Sequence, residues 1–424
     1  MNIWLIKEGE PLPCDDNPRL MRMGLLAEEL IKQDHNVTWW SSTFEHGRKR
    51  ERFDKDTELE IFDNNGLLIL LKTPVTYKKN TSVSRIIYHD LLGRKFIKKA
   101  MLMEKPDIIF CAFPTIHFAS AAIKYGKKMN VPVILDVRDL WPDIFERALP
   151  SKLKFAGPLV LYPLHAKTNN AFRNAYGITG IIPSHLDWGI TKASRERTDR
   201  DKYIYIGYKR TILSEKDRKL GKNYWASMDV NSDTWNICFF GTMSSMTMDI
   251  STLIKAFKNI NLEYPKMRLI LCGSGDALEM YKNEATGCSN IIFPGWIDKK
   301  QIQSLMEISK VGVYPFHNLP DFINSLTNKM IEYFSAGLPV LSTLKGFSKK
   351  YIESHEVGVV YEEGSIESCS NAIADLYHNE NKRLKMSSNA KDRYFIDFES
   401  TNINNKFIKY FEYIIGGYQK RHRK

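Results

Sequence analysis

Cysteine is scarce in this sequence, long apolar runs are missing, and acidic residues are outnumbered by basic ones. The six cysteines (Cys14, Cys111, Cys238, Cys272, Cys288 and Cys369) are scattered and form no CxxC pair. Cys111, Cys238 and Cys272 fall inside apolar, strand-like runs. This argues against a disulfide framework or a zinc site, and for reduced, buried thiols in a cytoplasmic protein. No apolar stretch nears the roughly 20 residues that cross a bilayer. The longest, Phe155 to Leu164, is broken by Gly157, Pro158 and Pro163. The opening Met-Asn-Ile-Trp-Leu-Ile reads straight into a strand, without the basic start and cleavage site of a signal peptide. The expectation is a protein that does not cross a membrane. The shortage of acid leaves 61 Lys and Arg against 49 Asp and Glu, a formal net charge of +12. Such a balance suits an acidic partner: nucleic acid, an anionic bilayer or a phosphorylated substrate.

What is present is a long alternation of strands and helices. A chain of 424 residues exceeds a single core and predicts two domains of roughly 200 residues each. Strands are expected at Asn2–Lys7, His35–Thr43, Gly66–Leu71, Asp107–Ala112, Val131–Asp136, Ala175–Thr179 and Tyr203–Ile206, with helices at Leu20–Gln33 and Thr115–Lys128 between them. Lys209 to Ser232 is charged and aperiodic, and reads as a linker with a short helix. A second series follows: strands at Trp235–Phe240, Arg268–Cys272, Ile291–Phe293, Val311–Pro315, Pro339–Ser342 and Val357–Tyr361, separated by helices. The fold class is therefore α/β, two Rossmann-like doubly wound domains facing a central cleft. The expected domains are residues 1–210, joined by a returning C-terminal helix at about 402–424, and residues 211–401. Ligands in such sheets bind beyond the carboxyl ends of the strands, so the loops there carry the chemistry.

The most informative loop is Asn324-Ser-Leu-Thr-Asn-Lys-Met-Ile-Glu332, which opens a helix ending at Gly337 before Leu-Pro-Val340. Unpaired N–H groups at a helix start bind phosphate, and Lys329 in the first turn adds positive charge. Glu332, one turn on, is placed to accept ribose hydroxyls. The same residues also read as an amphipathic helix with a solvated Lys and Glu.

This segment resembles the donor-binding motif of glycosyltransferase family 4, in which Glu-x7-Glu precedes Gly-x-Pro-Val. Glu332 matches the second glutamate, which in that family holds the nucleotide ribose, and Asn324 stands where the first would contact the transferred sugar. Phe239-Phe-Gly-Thr-Met243 is similar to the family's first glycine loop, bringing Gly241 and Thr242 to the donor diphosphate. The Arg and Lys that often follow are absent from Ser244–Asp249, so Lys329 and backbone amides are expected to neutralise the diphosphate. Leu271-Cys-Gly-Ser-Gly-Asp276 resembles the second glycine loop, with Gly273 and Gly275, and Phe293-Pro-Gly-Trp-Ile297 the segment beside the base, with Trp296 and Ile297. Ser325, Leu326, Thr327 and Asn328 complete the donor set that the resemblance implies.

In the first half, Leu135-Asp-Val-Arg-Asp-Leu-Trp-Pro142 ends a strand. Asp136 or Asp139 there suits a helix cap as well as a site. Asp-Leu-Trp-Pro, with Ile6–Arg22 and Ser184–Gly189, resembles the branch of transferases for N-acetyl-L-fucosamine in O-antigen and capsule synthesis. That branch implies a catalytic set of Asp139 at the acceptor, Arg138 near the donor phosphates or sugar, and Lys329. Many relatives carry a histidine near Arg138–Asp139; this chain has none. In the loop after the first strand, Glu10 and Arg22 are expected at the acceptor. Gly24 would let the helix start approach phosphate, and His117 begins a helix that could face the cleft. Each of these reads equally as a solvated loop or helix surface.

Asp54-Lys-Asp56 and Asp199-Arg-Asp201 fit the letter of a metal motif but lie in charged loops, so neither a metal nor a cofactor is expected. Between Tyr77 and Lys105, eight bases interleave with Ile86, Ile87, Tyr88, Leu91, Leu92, Phe96, Ile97, Met101 and Leu102. This is a basic amphipathic pattern suited to an anionic membrane surface, or a core helix with a basic outer face. No nucleic-acid motif accompanies it. The resemblance implies the GT-B fold and retaining transfer of an acetamido sugar, N-acetyl-L-fucosamine or a relative, from a UDP-sugar. The acceptor would be an undecaprenyl-diphosphate-linked saccharide, with the enzyme peripheral at the inner face of the plasma membrane. A nucleotide-sugar 2-epimerase shares the architecture but needs no acceptor; a non-enzymatic basic binding protein would leave the glycine loops unexplained.

Overall fold

The computed structural model describes the chain except for residues 17, 63–65, 81, 149–156 and 423–424. The start of the Phe155–Leu164 run and the last two residues of the basic tail lie outside the described residues. Two compact units emerge, Met1–Gly207 with Ser400–Lys424, and Tyr208–Glu399.

In the first unit the elements are β1 (Asn2–Ile6), α1 (Arg22–Lys32), β2 (Asn36–Ser42), β3 (Phe44–Glu45), β4 (Arg50–Glu51), β5 (Thr57–Ile61), β6 (Gly66–Leu71), α2 (Val83–Ala100), β7 (Ile108–Phe113), α3 (Ile116–Met129), β8 (Val133–Val137), α4 (Asp143–Ala148), α5 (Gly157–Arg173), β9 (Gly177–Gly180), α6 (Pro183–Ala193) and β10 (Lys202–Tyr203). The second unit holds α7 (Glu215–Ala226), β11 (Trp235–Phe240), α8 (Ile250–Ile260), β12 (Met267–Cys272), α9 (Leu278–Glu284), β13 (Ile291–Gly295), α10 (Lys299–Ile308), β14 (Val311–Tyr314), α11 (Pro320–Ile323), α12 (Asn328–Ser335), β15 (Val340–Ser342), α13 (Gly346–Ser354), β16 (Gly358–Val360), α14 (Ile366–His378), α15 (Glu380–Arg393) and a π-helical turn, Tyr394–Phe398. α16 (Ser400–His422) returns to the first unit.

The first sheet has the order β10-β9-β8-β7-β1-β2-β6-β5, parallel except for β5 against β6. The second has the order β13-β12-β11-β14-β15-β16 and is parallel throughout. Helices cover both faces of such sheets, which is why β7 and β8 are buried at every position. In the first unit β1 lies between β2 and β7; in the second β11 lies between β12 and β14. Strand order reverses at these two strands, so each sheet opens a crevice at their carboxyl ends.

One face of the first sheet carries an aromatic core. Trp4 and Trp40 stand 5.2 Å apart, and Phe96 of α2 meets Trp40 edge-on at 4.9 Å. The other face is covered by α1 and α16, with Phe407 and Phe411 packed on Phe110 at 5.1 and 5.3 Å. Cys111, Cys238 and Cys272 are buried, and all six cysteines are unpaired thiols.

The structure departs from the sequence expectations in several places. The strand expected at Tyr203–Ile206 shrinks to β10, and the antiparallel edge strand β5 was not anticipated. Its Glu58 and Glu60 alternate with half-buried partners, a charged edge that resists further pairing. The segment expected as a linker belongs to the body of the second unit: Ser214 caps α7, and Trp225 is fully buried with its indole N–H on Ser304 Oγ at 3.0 Å. The basic stretch divides as well. Tyr88, Leu92 and Phe96 of α2 are fully buried in the core, so most of the apolar stripe faces inward. Lys95 and Lys99 pair with Asp56 and Glu58, and Arg94 with Asp90. A sheet face offers more apolar area to that stripe than solvent does, and the core takes it.

Candidate functional site

In the second unit, the loops after β11 and β14 meet at Lys329, and the loop after β12 backs the first of them. A Cβ at Gly241 would stand 2.5 Å from Lys329 Nζ, so the lysine end sits directly against the first glycine loop and would have to shift for any side chain there. Gly241 has φ +149°, and Gly273, at φ +133°, would drive a Cβ into the Gly241 carbonyl. Gly275 meets the Met243 carbonyl in the same way. Gly273 and Gly275 thus let the second glycine loop support the first by backbone contact, with Gly241 N–H on Cys272 O at 3.0 Å and Met243 N–H on Ser274 O at 2.9 Å.

Lys329 Nζ is buried, 3.8 Å from the Phe239 ring centroid and 5.5 Å from that of Phe316. It has no hydrogen-bond partner among the described residues. Burial pulls its pKa down to about 7, against the smaller opposing effect of Glu332. Glu332 lies one turn on, 6% exposed. Thr327 starts α12 without a side-chain cap, and its N–H reaches Tyr314 Oη at 3.3 Å. The Thr327 hydroxyl is buried and unpartnered among the described residues. With no cap from Thr327, the first-turn N–H groups at Asn328 and Lys329 keep the positive end of the helix available. Asn324 is exposed, Leu326 is buried, and Ser325 O accepts from Ser348 Oγ at 2.5 Å. Thr242 is exposed, as is Trp296 at 77%, whereas Ile297 is buried under the same segment.

In the first unit the carboxyl edge holds a buried ion network whose hub is Asp136. Arg22 binds it through two nitrogens at 3.0 Å each, Arg138 Nε at 2.7 Å and Thr179 Oγ1 at 2.7 Å. Burial would raise the Asp136 pKa, but the two guanidinium groups hold it well below the usual carboxylate range. Arg138 also pairs with Glu10, whose other oxygen accepts Met23 N–H at 3.1 Å. Asp136 is therefore no helix cap. Arg138, Arg22 and Glu10 lock β1, α1 and β8 together, and Arg138 Nη2 is buried without a hydrogen-bond partner among the described residues. Asp139 stands exposed two residues past β8. Beside Glu10 opens a cavity of ≈ 260 Å³ lined by Arg19, Arg48, Arg52, Asp15, Asp16 and His46.

His117 stands in the first turn of α3, 3.9 Å from Asp90 of α2, and burial with the charge of Lys167 lowers its pKa to about 4. A Cβ at Gly24 would meet only the Leu20 side chain, at 3.0 Å, so its helix start packs on its own entry loop. The letter matches to a metal motif are held structurally, Asp56 by Lys95 and Asp201 by Arg195 and Thr198.

Sequence reading missed three features. The aromatic walls of Lys329, Phe239 and Phe316, lie far from it in sequence. His317 meets Glu363 at 2.6 Å, and Asn318 bonds the same carboxylate at 2.7 Å, joining the loops after β14 and β16. Burial raises the Glu363 pKa, but these bonds leave it lowered. Glu8 and His89 face each other at 3.1 Å, both 3% or less exposed. A polar residue just past β1 was the only available signal for this last pair.

Residues 226–393, most of the second unit, match the family described as Glycosyl transferases group 1. Among solved structures, the chain resembles sucrose-phosphate synthase from Thermosynechococcus elongatus, with TM-score 0.67 and 14% identity over 98% of this chain and 99% of that one. It also resembles Anabaena Alr3699/HepE in complex with UDP, with TM-score 0.64 and 15% identity over 96% and 99%. A third likeness is the E. coli trehalose-6-phosphate structure bound with UDP-2-fluoro glucose, with TM-score 0.67 and 11% identity over 97% and 99%. These likenesses establish the GT-B architecture of two Rossmann-like domains. A stretch of 171 residues, 36% of the chain, is 25% identical to the DNA mismatch repair protein MutL of Thermodesulfovibrio yellowstonii. The chain spans 31% of that curated relative's length, too little to assign fold or family.

Proposed function

We propose, from the premise that the group 1 domain at residues 226–393 makes this chain a glycosyltransferase, that it moves a sugar from a UDP-linked donor to a lipid-diphosphate-linked saccharide with retention at the anomeric carbon. The observation that carries the reading is Lys329: a buried Nζ without a hydrogen-bond partner among the described residues, set against Gly241 at the switch-point edge of a parallel sheet. A group so placed calls for an anion, and the uncapped start of α12 beside it favours the same charge. The UDP and UDP-sugar complexes of the structural neighbours support a nucleoside diphosphate as that anion.

In the reaction the bond from the anomeric carbon to the diphosphate oxygen breaks, and a bond to the acceptor oxygen forms. The acceptor proton leaves with the departing diphosphate. Negative charge accumulates on that leaving group, and Lys329 with the backbone of the Gly241 loop stabilises it. Glu332 accepts from the ribose hydroxyls, and exposed Trp296 lies beside the base. Asp139 belongs to the acceptor side, with the cavity next to Glu10 as the candidate acceptor pocket, and Arg138 is assigned to the donor phosphates or sugar. The transferred sugar, on the motif resemblance, is N-acetyl-L-fucosamine or a related acetamido sugar. The acceptor is the undecaprenyl-linked oligosaccharide of O-antigen or capsule synthesis, met at the inner face of the plasma membrane.

The test is thermal stabilisation by UDP, GDP and UDP-sugars. Selective stabilisation by UDP species, abolished by Glu332→Ala in a variant that still melts cooperatively, is the expected outcome. An unchanged UDP dissociation constant in that variant removes Glu332 from the donor site.

A further inference from the structure

The segment that follows β14 is tied to three other loops of the second unit before the chain reaches the uncapped start of α12. Asp249 N–H donates to Pro315 O at 2.7 Å and His317 N–H to Thr247 O at 3.0 Å, while Phe316 forms an isolated antiparallel bridge with Met248. These bonds join the segment to the continuation of the first glycine loop. From the loop after β15, Thr343 Oγ1 donates to Phe316 O and Lys345 N–H to Asn318 Oδ1 at 2.7 Å. From the loop after β16, one oxygen of Glu363 accepts Asn318 N–H at 3.2 Å and Asn318 Nδ2 at 2.7 Å. Its other oxygen meets His317 Nδ1 at 2.6 Å.

The ring of His317 faces an acceptor on each side. Nδ1 lies against the Glu363 carboxylate, and Nε2 lies 3.2 Å from Ser245 O. A carbonyl oxygen only accepts. Glu363 only accepts as well, since burial raises its pKa but its hydrogen bonds bring it below the ordinary value. A neutral imidazole carries one N–H and satisfies one of these partners; both bonds together need hydrogen on both nitrogens, which is the imidazolium. The other charged residues on these segments are Asp249, whose carboxylate accepts Gly364 N–H at 3.0 Å, and the exposed Lys345 and Glu362. Lys329 of α12 lies beyond the Phe316 ring, 5.5 Å from its centroid. Ser244–Asp249 contains neither Lys nor Arg, so His317 brings a cation to a stretch that has none of its own.

We propose that His317 is an imidazolium clasp between Ser245 O and Glu363, a positioning residue that holds the segment after β14 against the first glycine loop and so preforms the pocket for a nucleoside diphosphate. Phe316, next to it in sequence, is one wall of Lys329, so the clasp fixes that wall beside the lysine. Hydrogen bonds from an ionised group to a carboxylate are among the stronger ones, and a loop ordered in advance spares the ligand the cost of ordering it. That the pocket takes the donor rests on the function proposed above; the charge of the ring rests on its two bonds.

Two measurements on the full-length protein test it. Nitrogen-15 spectra of the histidine rings at about pH 7, with the His317 signals assigned by their loss in His317→Phe, should show both of its nitrogens protonated in the wild type. In Glu363→Gln the carboxamide can donate to Nδ1 and still accept from Asn318, so both bonds survive with a neutral ring. The His317 signals should then become those of the tautomer protonated at Nε2. In titrations with UDP, His317→Phe and Glu363→Ala should each lower affinity about fivefold or more, and Glu363→Gln should restore it to within about twofold of the wild type. A neutral His317 ring in the wild type overturns the proposal. So does wild-type affinity in cooperatively melting His317→Phe and Glu363→Ala variants, or a Glu363→Gln variant as weak as Glu363→Ala. A doubly protonated His317 in a protein that no nucleotide stabilises leaves the clasp standing and removes the donor reading.

Discussion

Lys329 shows how a single side chain is tuned by what surrounds it. An ammonium between two phenyl faces loses most of its hydration, and Glu332 returns only part of that stabilisation, so its pKa falls to about 7. The unfolded chain keeps this proton to about pH 10.4. Folded protein therefore binds fewer protons than unfolded protein between those values, and the stability of the empty enzyme rises with pH across that window. Below about pH 7 the buried charge is present in both states and its cost is felt in full. Donor binding has the opposite sign, because a diphosphate needs the charged form. UDP is fully ionised above pH 7, so its affinity is expected to fall by up to about tenfold per pH unit above the lysine pKa. Calorimetric titrations from pH 6 to 9 check this: Lys329→Met should bind UDP more weakly, with a flat profile. A wild-type profile that is equally flat places the diphosphate elsewhere. Lysine in a helix start was legible as a phosphate ligand. Its enclosure was not, since Phe239 and Phe316 reach it only through the fold.

Among the elements, periodicity located most of the strands and helices, because side chains alternate or recur at fixed spacing wherever one face is buried. It failed where charge concealed burial. α7 carries Glu215, Lys216, Asp217, Arg218, Lys219 and Lys222, yet Gly221 and Trp225 press it onto α10, where a Cβ at Gly221 would collide with Ser304. Trp225→Ala is expected to destabilise the second unit by about 3–5 kcal/mol, as a lower denaturation midpoint in urea. Loss of less than about 1 kcal/mol would return this segment to the status of a linker. α2 shows the converse case. Its bases and apolar residues suited a membrane surface or a core helix with a basic outer face; Tyr88, Leu92 and Phe96 found a sheet to cover, and of its apolar side chains only Val83 and Ile87 stay exposed. Amphipathicity states that a helix has two faces, and tertiary packing decides what the apolar one meets.

Over the whole molecule, the chain ends inside the unit where it began. α16 lays Phe407, Phe411 and Ile414 over the first sheet, stacks Phe407 under Arg22 at 4.6 Å and bonds Leu25 O through Asn404 at 3.0 Å. The first unit is thus discontinuous in sequence and completed by α16, whereas the second is continuous from Tyr208 to Glu399. A chain ending at Glu399 is expected to lose the cooperative melting of the first unit and to bind an apolar dye there. UDP-induced stabilisation of the second unit should persist, and scanning calorimetry reads both. A single undisturbed first-unit transition would show that α16 is dispensable.

The alternation of strands and helices, the glycine loops and the Asn324–Val340 segment were determined by the sequence alone, because backbone propensity and burial period act over a few residues. The placement of Lys329 against Gly241, the Asp136 hub and the packing of Phe96 of α2 on Trp40 were decided by tertiary structure. Each joins groups separated by dozens of residues, and only the strand order of a folded sheet brings them to one side.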